Sequence, residues 1–484
     1  LIKLKKKIRG RNMKPLKKYI VSAVAGVLAT CTLFAAGCST EVSVVSIDQS
    51  ENGFTVTYSD GSTSQINVEN GKDGSDVTMS DVYSKYVEEY GDISYADFLN
   101  IYLGSTSSSI SSNITGTCLQ SVVKVYSEFG ASASIRTSLS PWARPVEISY
   151  IFDSTGSGVI WSIDDEYSYI VTNYHVVYNT EADEDENGGT KIAKALYCYL
   201  YGSEGSPTAV TANSGYPTAY DYGNYAISCE YVGGSITSDI AVLKAKTSDI
   251  KAINENVTSV TPADTYYVGE SAMAIGNPEN EGISVTKGII SIENEYIALN
   301  IDGTSRYYRS IRMDTAIYSG SSGGGLFNDE GKLIGITNAG DNTDQNINFA
   351  VPIEIVKNTV ESVLYYADGG TKNAYTVDLG LSLASEKSKY VYDISLGYGR
   401  IVEDVVVSDV VSSSIAKSLN IQKGDIITAL TVNGTNYDVI RTFNITDMEI
   451  NLRAGDNISI TFTRNGVKNT TTTYQITSSD ISVL

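Results

Sequence analysis

The chain has 484 residues, too many for one ordinary domain and enough for about three, each able to bury a core without disulfides. Residues 1–37 hold nine Lys or Arg and no acid, leaving 26 basic against 56 acidic side chains beyond them, a formal net charge of −30. That balance excludes nucleic acid as a partner, because a binding surface neutralises phosphates with Lys and Arg, and it suits a soluble surface outside the cell.

The first segment reads as an export signal: a start at Met13, basic Lys14, Lys17 and Lys18, the apolar run "YIVSAVAGVLATCTLF" and then "AAGC". The run is shorter than the roughly 20 residues that span a bilayer. "AAGC" resembles a bacterial lipobox. The resemblance implies that residues 1–37 are removed and that Cys38 carries a lipid, holding the chain at the outer face of a bacterial membrane; an uncleaved anchor is the other reading. Cys31 fits the lipobox less well because Thr30 precedes it. The remaining Cys118, Cys198 and Cys229 have no metal-ligand spacing and cannot form a disulfide framework. Cys198 and Cys229 lie in strand-like stretches and either pair or remain buried thiols.

Residues 38–75 predict a β-hairpin turning at Asp60-Gly61, and residues 76–103 a short helical segment, with "SYAD" as a capping box. A Gly/Ser/Thr linker is expected over 104–117. From 118 to 366 the chain is a series of short apolar or alternating runs separated by turn residues, with helical period only at 352–366, and predicts two β-barrels. Two insertions interrupt it, an acidic stretch (181–189) and a Gly/Tyr-rich one (about 202–224). The acidic stretch lacks calcium-loop spacing and reads as a solvated loop. After a soft joint at 367–375, residues 375–484 predict a further domain with helices near 412–419 and 443–453.

The chain's single histidine, His175, ends the apolar strand "YIVTNYHVV". Imidazole accepts and returns a proton near neutral pH, which a hydrolase requires. Asp239 opens the apolar strand "SDIAVLKAK", and Ser322 sits in "YSGSSGGGLF". The order His, Asp, Ser on an all-β chain is that of a chymotrypsin-type triad. Ser322 then needs His175 as base, and His175 needs Asp239 to hold its tautomer. The glycines let the backbone turn so that the N–H groups of Gly320 and Ser322 face a developing oxyanion. The apolar flanks, Leu326 and Phe327 above all, argue against a flexible joint. No metal or organic cofactor is needed.

Residues of about 120–365 resemble the HtrA/DegP family of trypsin-like serine endopeptidases, on "GSGVIW" (156–161), "YIVTNYHVV", "SDIAVLKA", "GESAMAIGNP" (269–278), "SVTKGIIS" (284–291), "NINFAVP" (346–352) and the nucleophile block. The resemblance implies a chymotrypsin-like double β-barrel, mainly β overall, acting on unfolded or regulatory proteins through an acyl-enzyme. Residues 375–484 resemble a PDZ domain more loosely. There "DLGLSL" supplies Leu379, Gly380 and Leu381 as a loop for peptide C-termini. A homotrimer is one assembly the family implies.

Ala316 stands where trypsin proper has the Asp of its S1 floor. With Ile317 and Tyr318, and a wall of Thr337, Asn338 and Ala339, this implies cleavage after small or medium apolar residues rather than Lys or Arg. Ser321 replaces the Asp that pairs with a new N-terminus in digestive relatives, which removes that route of activation. Gly325 replaces a common Pro, and the expectation is a looser oxyanion loop. A catalytically silent peptide-binding or chaperone-like protein is the alternative reading.

Overall fold

The structure, a computed structural model, describes residues 44–50, 53–58, 62–67, 83, 87, 112–135, 146–183, 191–211, 216–341, 344–394 and 396–484. The export signal, Cys38, the Asp60-Gly61 turn, most of the 76–103 segment and residues 184–190 of the acidic insertion lie outside them. The chain divides into two units, residues 1–108 and 109–484.

In the first unit β1 (Val44–Ser50), β2 (Gly53–Tyr58) and β3 (Thr63–Asn67) form an antiparallel sheet, with Phe54 opposite Ile66. β1 adds a strand to the expected hairpin. Tyr83 and Val87, four residues apart, are helical.

The second unit opens with α1 (Ser112–Leu119), so residues 112–117 are helix and not linker. Composition hid this: Ile114, Cys118 and Leu119 fall on one helical face and pack on the core below, and Thr115 Oγ1 lies 3.5 Å from Met273 Sδ.

β4 (Val122–Ile135), β5 (Val146–Ile163), β6 (Tyr167–Thr172), β7 (Ala195–Leu200), β10 (Ile227–Ser235) and β11 (Ile240–Lys246) close a six-stranded antiparallel barrel; β8 (Thr208–Thr211) and β9 (Pro217–Asp221) make a hairpin in the Gly/Tyr-rich insertion. That insertion is packed against the barrel. Tyr220 donates to Asp153 at 2.6 Å, Tyr222 hydrogen-bonds Glu128, and Tyr126 meets both rings edge-on. A second closed barrel comprises β12 (Ser271–Gly276), β13 (Ser284–Asn300), β14 (Ser305–Met313), β15 (Gly325–Phe327), β16 (Leu333–Asp341) and β17 (Asp344–Pro352).

Alternate residues of these strands serve two cores. Val123, Val125, Ile170 and Leu243 fill the first barrel, and Ala272, Ala274, Ile311 and Leu326 the second. Their neighbours Val122, Val171, Val242, Met273 and Ile275 meet between the barrels. That double burial makes the runs continuously apolar instead of alternating. Each buried Val, Leu, Ile or Met among them contributes about 1.5–3 kcal/mol. α2 (Tyr174–Val177) follows β6, and α3 (Thr247–Ile253) follows β11. α4 (Ile353–Ala367) lays Val356, Val360 and Val363 on the inter-barrel core.

The remaining residues form β18 (Tyr375–Val377), β19 (Leu381–Asp393), β20 (Tyr398–Val410), α5 (Ile415–Ser418), β21 (Ile426–Val432), β22 (Thr435–Asp438), α6 (Phe443–Glu449), β23 (Asn457–Arg464), β24 (Val467–Thr470), β25 (Tyr474–Gln475) and β26 (Ile481–Val483). The sheet runs β19-β20-β21-β23-β24, and β18 pairs with β26. This module docks on the second barrel. Arg309 of β14 pairs with Asp447 of α6 and lies 4.3 Å over the Phe443 ring, while Arg441 pairs with Glu293 of β13 and with Glu403. Among the described residues no helix is long and apolar enough to cross a membrane.

Candidate active site

Each barrel supplies part of one site. The first delivers His175 on α2, anchored by buried Val176 and Val177, and Asp239 in the turn between β10 and β11. The second delivers Ser322 in the turn between β14 and β15. Asp239 takes a left-handed φ of 54°, which Asp tolerates better than most residues. Two contacts hold its turn: Asn173 Nδ2 donates to the Asp239 carbonyl at 2.9 Å, and Tyr308 Oη of the second barrel donates to the Ile236 carbonyl at 2.9 Å.

Asp239 is fully buried, and its carboxylate collects three donors. His175 Nδ1 lies 2.9 Å from Oδ2 and 3.1 Å from Oδ1, the His175 backbone N–H donates to Oδ1 at 3.1 Å, and Asn338 Nδ2 donates to Oδ2 at 3.2 Å. This fixes the tautomer with the proton on Nδ1 and leaves Nε2 free to act as a base. The imidazole keeps 31% of its side-chain exposure, so its outer edge is open to substrate. Burial alone lowers its pKa, but the Asp239 charge and hydrogen bond prevail and hold it above the ordinary value.

Ser322 Oγ donates to the Asn338 carbonyl at 3.1 Å. Among the described hydrogen bonds none joins Ser322 to His175. Asn338 therefore links the three residues, its amide on Asp239 and its carbonyl on Ser322. It lies at a bulge between Thr337 and Ala339, which turns the side chain out of register.

The loop before Ser322 is held by its carbonyls. Ser157 Oγ donates to the Gly320 carbonyl at 2.8 Å and accepts from the Asn277 N–H at 2.8 Å. The Ser157 N–H donates to the Ser322 carbonyl at 2.8 Å, and Thr337 Oγ1 to the Ser321 carbonyl at 2.6 Å. The N–H groups of Gly320 and Ser322 have no protein acceptor among the described hydrogen bonds. Gly320 and Gly323 have φ of +92° and +87°, and a Cβ on either would strike backbone, of Asn277 and Ser157 respectively.

Gly325 corrects the expectation of a loose loop. It is buried in β15 and paired on both sides, with Ile275 and Ile336. A Cβ there would press into the Phe327 ring. Its small size serves packing and not freedom.

A cavity of about 120 Å³ opens beside Ser321, lined by Ala316, Ile317, Tyr318 and Thr337 together with Ala274, Ile275, Thr286 and Pro278. Thr286 Oγ1 fixes the Ala316 carbonyl at 2.7 Å. Asn338 and Ala339, expected in the pocket wall, are not among its lining residues. Ser321 Oγ accepts from the Tyr318 N–H at 3.3 Å, so it ties the pocket to the loop. Leu379 and Gly380 donate their N–H groups to Glu449 and Asp378. Cys118, Cys198 and Cys229 are buried free thiols, so Cys198 and Cys229 are not joined. The described residues hold no His, Cys, Asp and Glu grouping suited to a metal.

Residues 156–336 match the trypsin-like peptidase domain family. The trypsin-like stretch contains His175, Asp239 and Ser322 and begins two residues before the Gly158 of the "GSGVIW" block. A curated relative, probable periplasmic serine endoprotease DegP-like of Buchnera aphidicola subsp. Schizaphis graminum, is 32% identical over 320 residues, 65% of this chain and 55% of that protein. Serine endoprotease DegS of Haemophilus influenzae is 27% identical over 351 residues, 71% of this chain and 81% of that protein. The chain thus spans little more than half the length of the first relative. The solved structure of HtrA-type protease AlgW with decapeptide is 23% identical, covers 77% of this chain and 98% of its own, and has a TM-score of 0.45. The trypsin-like match and these endoprotease relatives support a serine-type endopeptidase.

Sequence reasoning missed the work of Ser157 and Asn338. Ser157 lies within the "GSGVIW" motif and Asn338 in the expected pocket wall, and neither position signals a partner 163 or 99 residues away.

Proposed function

We propose that the chain is an extracytoplasmic serine endopeptidase of HtrA type. The observation that carries the reading is the carboxylate of Asp239, buried and shared between His175 Nδ1 and the Asn338 amide whose carbonyl receives Ser322 Oγ. Substrate entering the cleft brings a carbonyl carbon to Ser322 Oγ. The hydroxyl leaves Asn338 for His175 Nε2, which takes its proton as the C–O bond forms. The oxyanion is received by the N–H groups of Gly320 and Ser322. His175 then returns the proton to the leaving amine, the C–N bond breaks, and an acyl-enzyme remains. Water attacks the ester by the same route in reverse, and Ser322 is regenerated.

The small cavity lined by Ala316, Ile317 and Tyr318 favours small or medium apolar residues before the cut bond. Unfolded or regulatory proteins are the substrates in this reading. The C-terminal module is read as a PDZ domain whose Leu379, Gly380 and Leu381 receive peptide C-termini. A lipid on Cys38 tethers the protein, and a homotrimer is its assembly. The periplasmic assignment of the Buchnera relative favours an extracytoplasmic site.

The test is a panel of quenched peptides differing only at the residue before the cut. Faster cleavage after Val or Ala than after Arg, lost in Ser322→Ala, is expected. Faster cleavage after Arg contradicts the pocket assignment, and unchanged cleavage by the Ser322→Ala protein contradicts the mechanism.

A further inference from the structure

The loop Asp378-Leu379-Gly380-Leu381 is shaped to offer N–H groups to an acceptor. The Leu379 carbonyl accepts from the Ala416 N–H and the Gly380 carbonyl from the Val411 N–H, each at 3.0 Å. Gly380 has φ of +75°, and a Cβ there would strike Ser414, the residue that caps α5. With both carbonyls tied to the module, the N–H groups face away from those ties. They are already in use. The Leu379 N–H donates to Glu449 Oε1 at 2.9 Å, and the Gly380 N–H to Asp378 Oδ1 at 2.7 Å.

We propose that Glu449 is an internal plug of this loop, occupying the donor that a peptide carboxylate needs, so that a peptide C-terminus binds only by displacing it. The proposal rests on the reading of the module as a binder of peptide C-termini. Two physical arguments carry it. One N–H cannot serve two carboxylate oxygens at full strength, so the incoming group must replace Glu449. Above the pH at which Glu449 ionises, a bound peptide carboxylate also meets the carboxylates of Glu449 and Asp378 at contact distance, and like charges there oppose it. Among the described residues neither Glu449 nor Asp378 has a salt-bridge partner to offset that repulsion. Glu449 ends α6, so its release requires only a rotamer change or fraying of the last helical turn, both accessible without unfolding the module.

The experiment uses the full chain carrying Ser322→Ala, which prevents cleavage of the probe, at pH 9, where the Glu449 carboxyl, pushed up to about 8 by burial, is ionised. Fluorescein-labelled decapeptides, randomised except for a last residue of Val, Leu or Phe, are titrated by anisotropy with a free C-terminal carboxylate and, in parallel, amidated. Glu449→Ala is expected to tighten binding of the free-carboxylate pool by about tenfold or more and to leave the amidated pool unchanged. Glu449→Gln keeps an acceptor oxygen for the Leu379 N–H and loses the charge, so a smaller gain of about threefold is expected. If the parent and both variants bind the free-carboxylate pool equally, and more tightly than the amidated one, the plug is refuted while the module remains a carboxylate binder. If no protein binds either pool although circular dichroism shows each folded, the reading of the module fails and the plug with it. Should Glu449→Ala not fold, Glu449→Gln decides alone: a gain restricted to the free carboxylate supports the plug, and no gain overturns it.

Discussion

Asp239→Asn removes the charge that holds His175 in its working tautomer and above its ordinary pKa. In triads of this kind the loss is about 10⁴-fold in kcat. The base is the neutral imidazole, so kcat/KM must rise with pH through the His175 ionisation. With that ionisation held upward by Asp239, the midpoint lies above the ordinary value of about 6.5, and Asp239→Asn moves it down. A pH profile of kcat/KM for both proteins checks the sign. Asn338→Ala is the companion test. It removes a hydrogen bond to a buried carboxylate, worth about 1.5–3 kcal/mol, and leaves the carbonyl that receives Ser322 in place. A fall of about 10- to 100-fold in kcat/KM is expected, with the midpoint moving up as Asp239 concentrates its charge on His175. An unchanged profile removes Asn338 from the network.

Ser157→Ala frees the Gly320 carbonyl and leaves the Asn277 N–H without its acceptor. The expected result is a drop in kcat of about 10-fold or more with KM nearly constant, because the oxyanion donors act in the transition state and not in the ground state. Steady-state kinetics separates the two constants. In α6, burial pushes the Glu449 carboxyl up to about 8 from an ordinary value near 4.5, with Asp378 adding to the shift. The folded state then holds a proton that the unfolded chain has released, so stability falls as pH rises from about 4.5 to about 8. Glu449→Gln cannot titrate, and urea midpoints for it should lose that slope. A slope equal to that of the natural chain contradicts the assignment.

In the second unit as a whole, Arg309 and Asp447 join the C-terminal module to the second barrel, both buried, with Asn358 Nδ2 on the Asp447 carbonyl. Asp447 holds the Arg309 pKa upward against burial. Arg309→Met leaves Asp447 buried without its partner and costs about 3–5 kcal/mol, whereas Arg309→Met with Asp447→Leu recovers most of the loss. Denaturant unfolding of both proteins checks this. Much of the architecture was readable because chemistry and burial constrain it locally. The double barrel left continuous apolar runs, and the His175, Asp239 and Ser322 segments carry residue types that the reaction itself requires. The helix at 112–119 was hidden by its Ser, Thr and Gly content, which masked the apolar face of Ile114, Cys118 and Leu119. Gly325 looked like freedom because its packing against Phe327 exists only once β15 is paired. The Ser157, Asn338 and Glu449 contacts join residues 70 to 163 positions apart, and no local pattern marks such partners. Everything in the mechanism depends on Ser322 as the nucleophile, activated by His175. Fluorophosphonate labelling of the full chain followed by peptide mapping tests it most directly. One adduct on Ser322 Oγ is expected, absent in Ser322→Ala and strongly reduced in His175→Ala; an adduct on another residue, or none in the presence of peptide substrate, overturns the assignment.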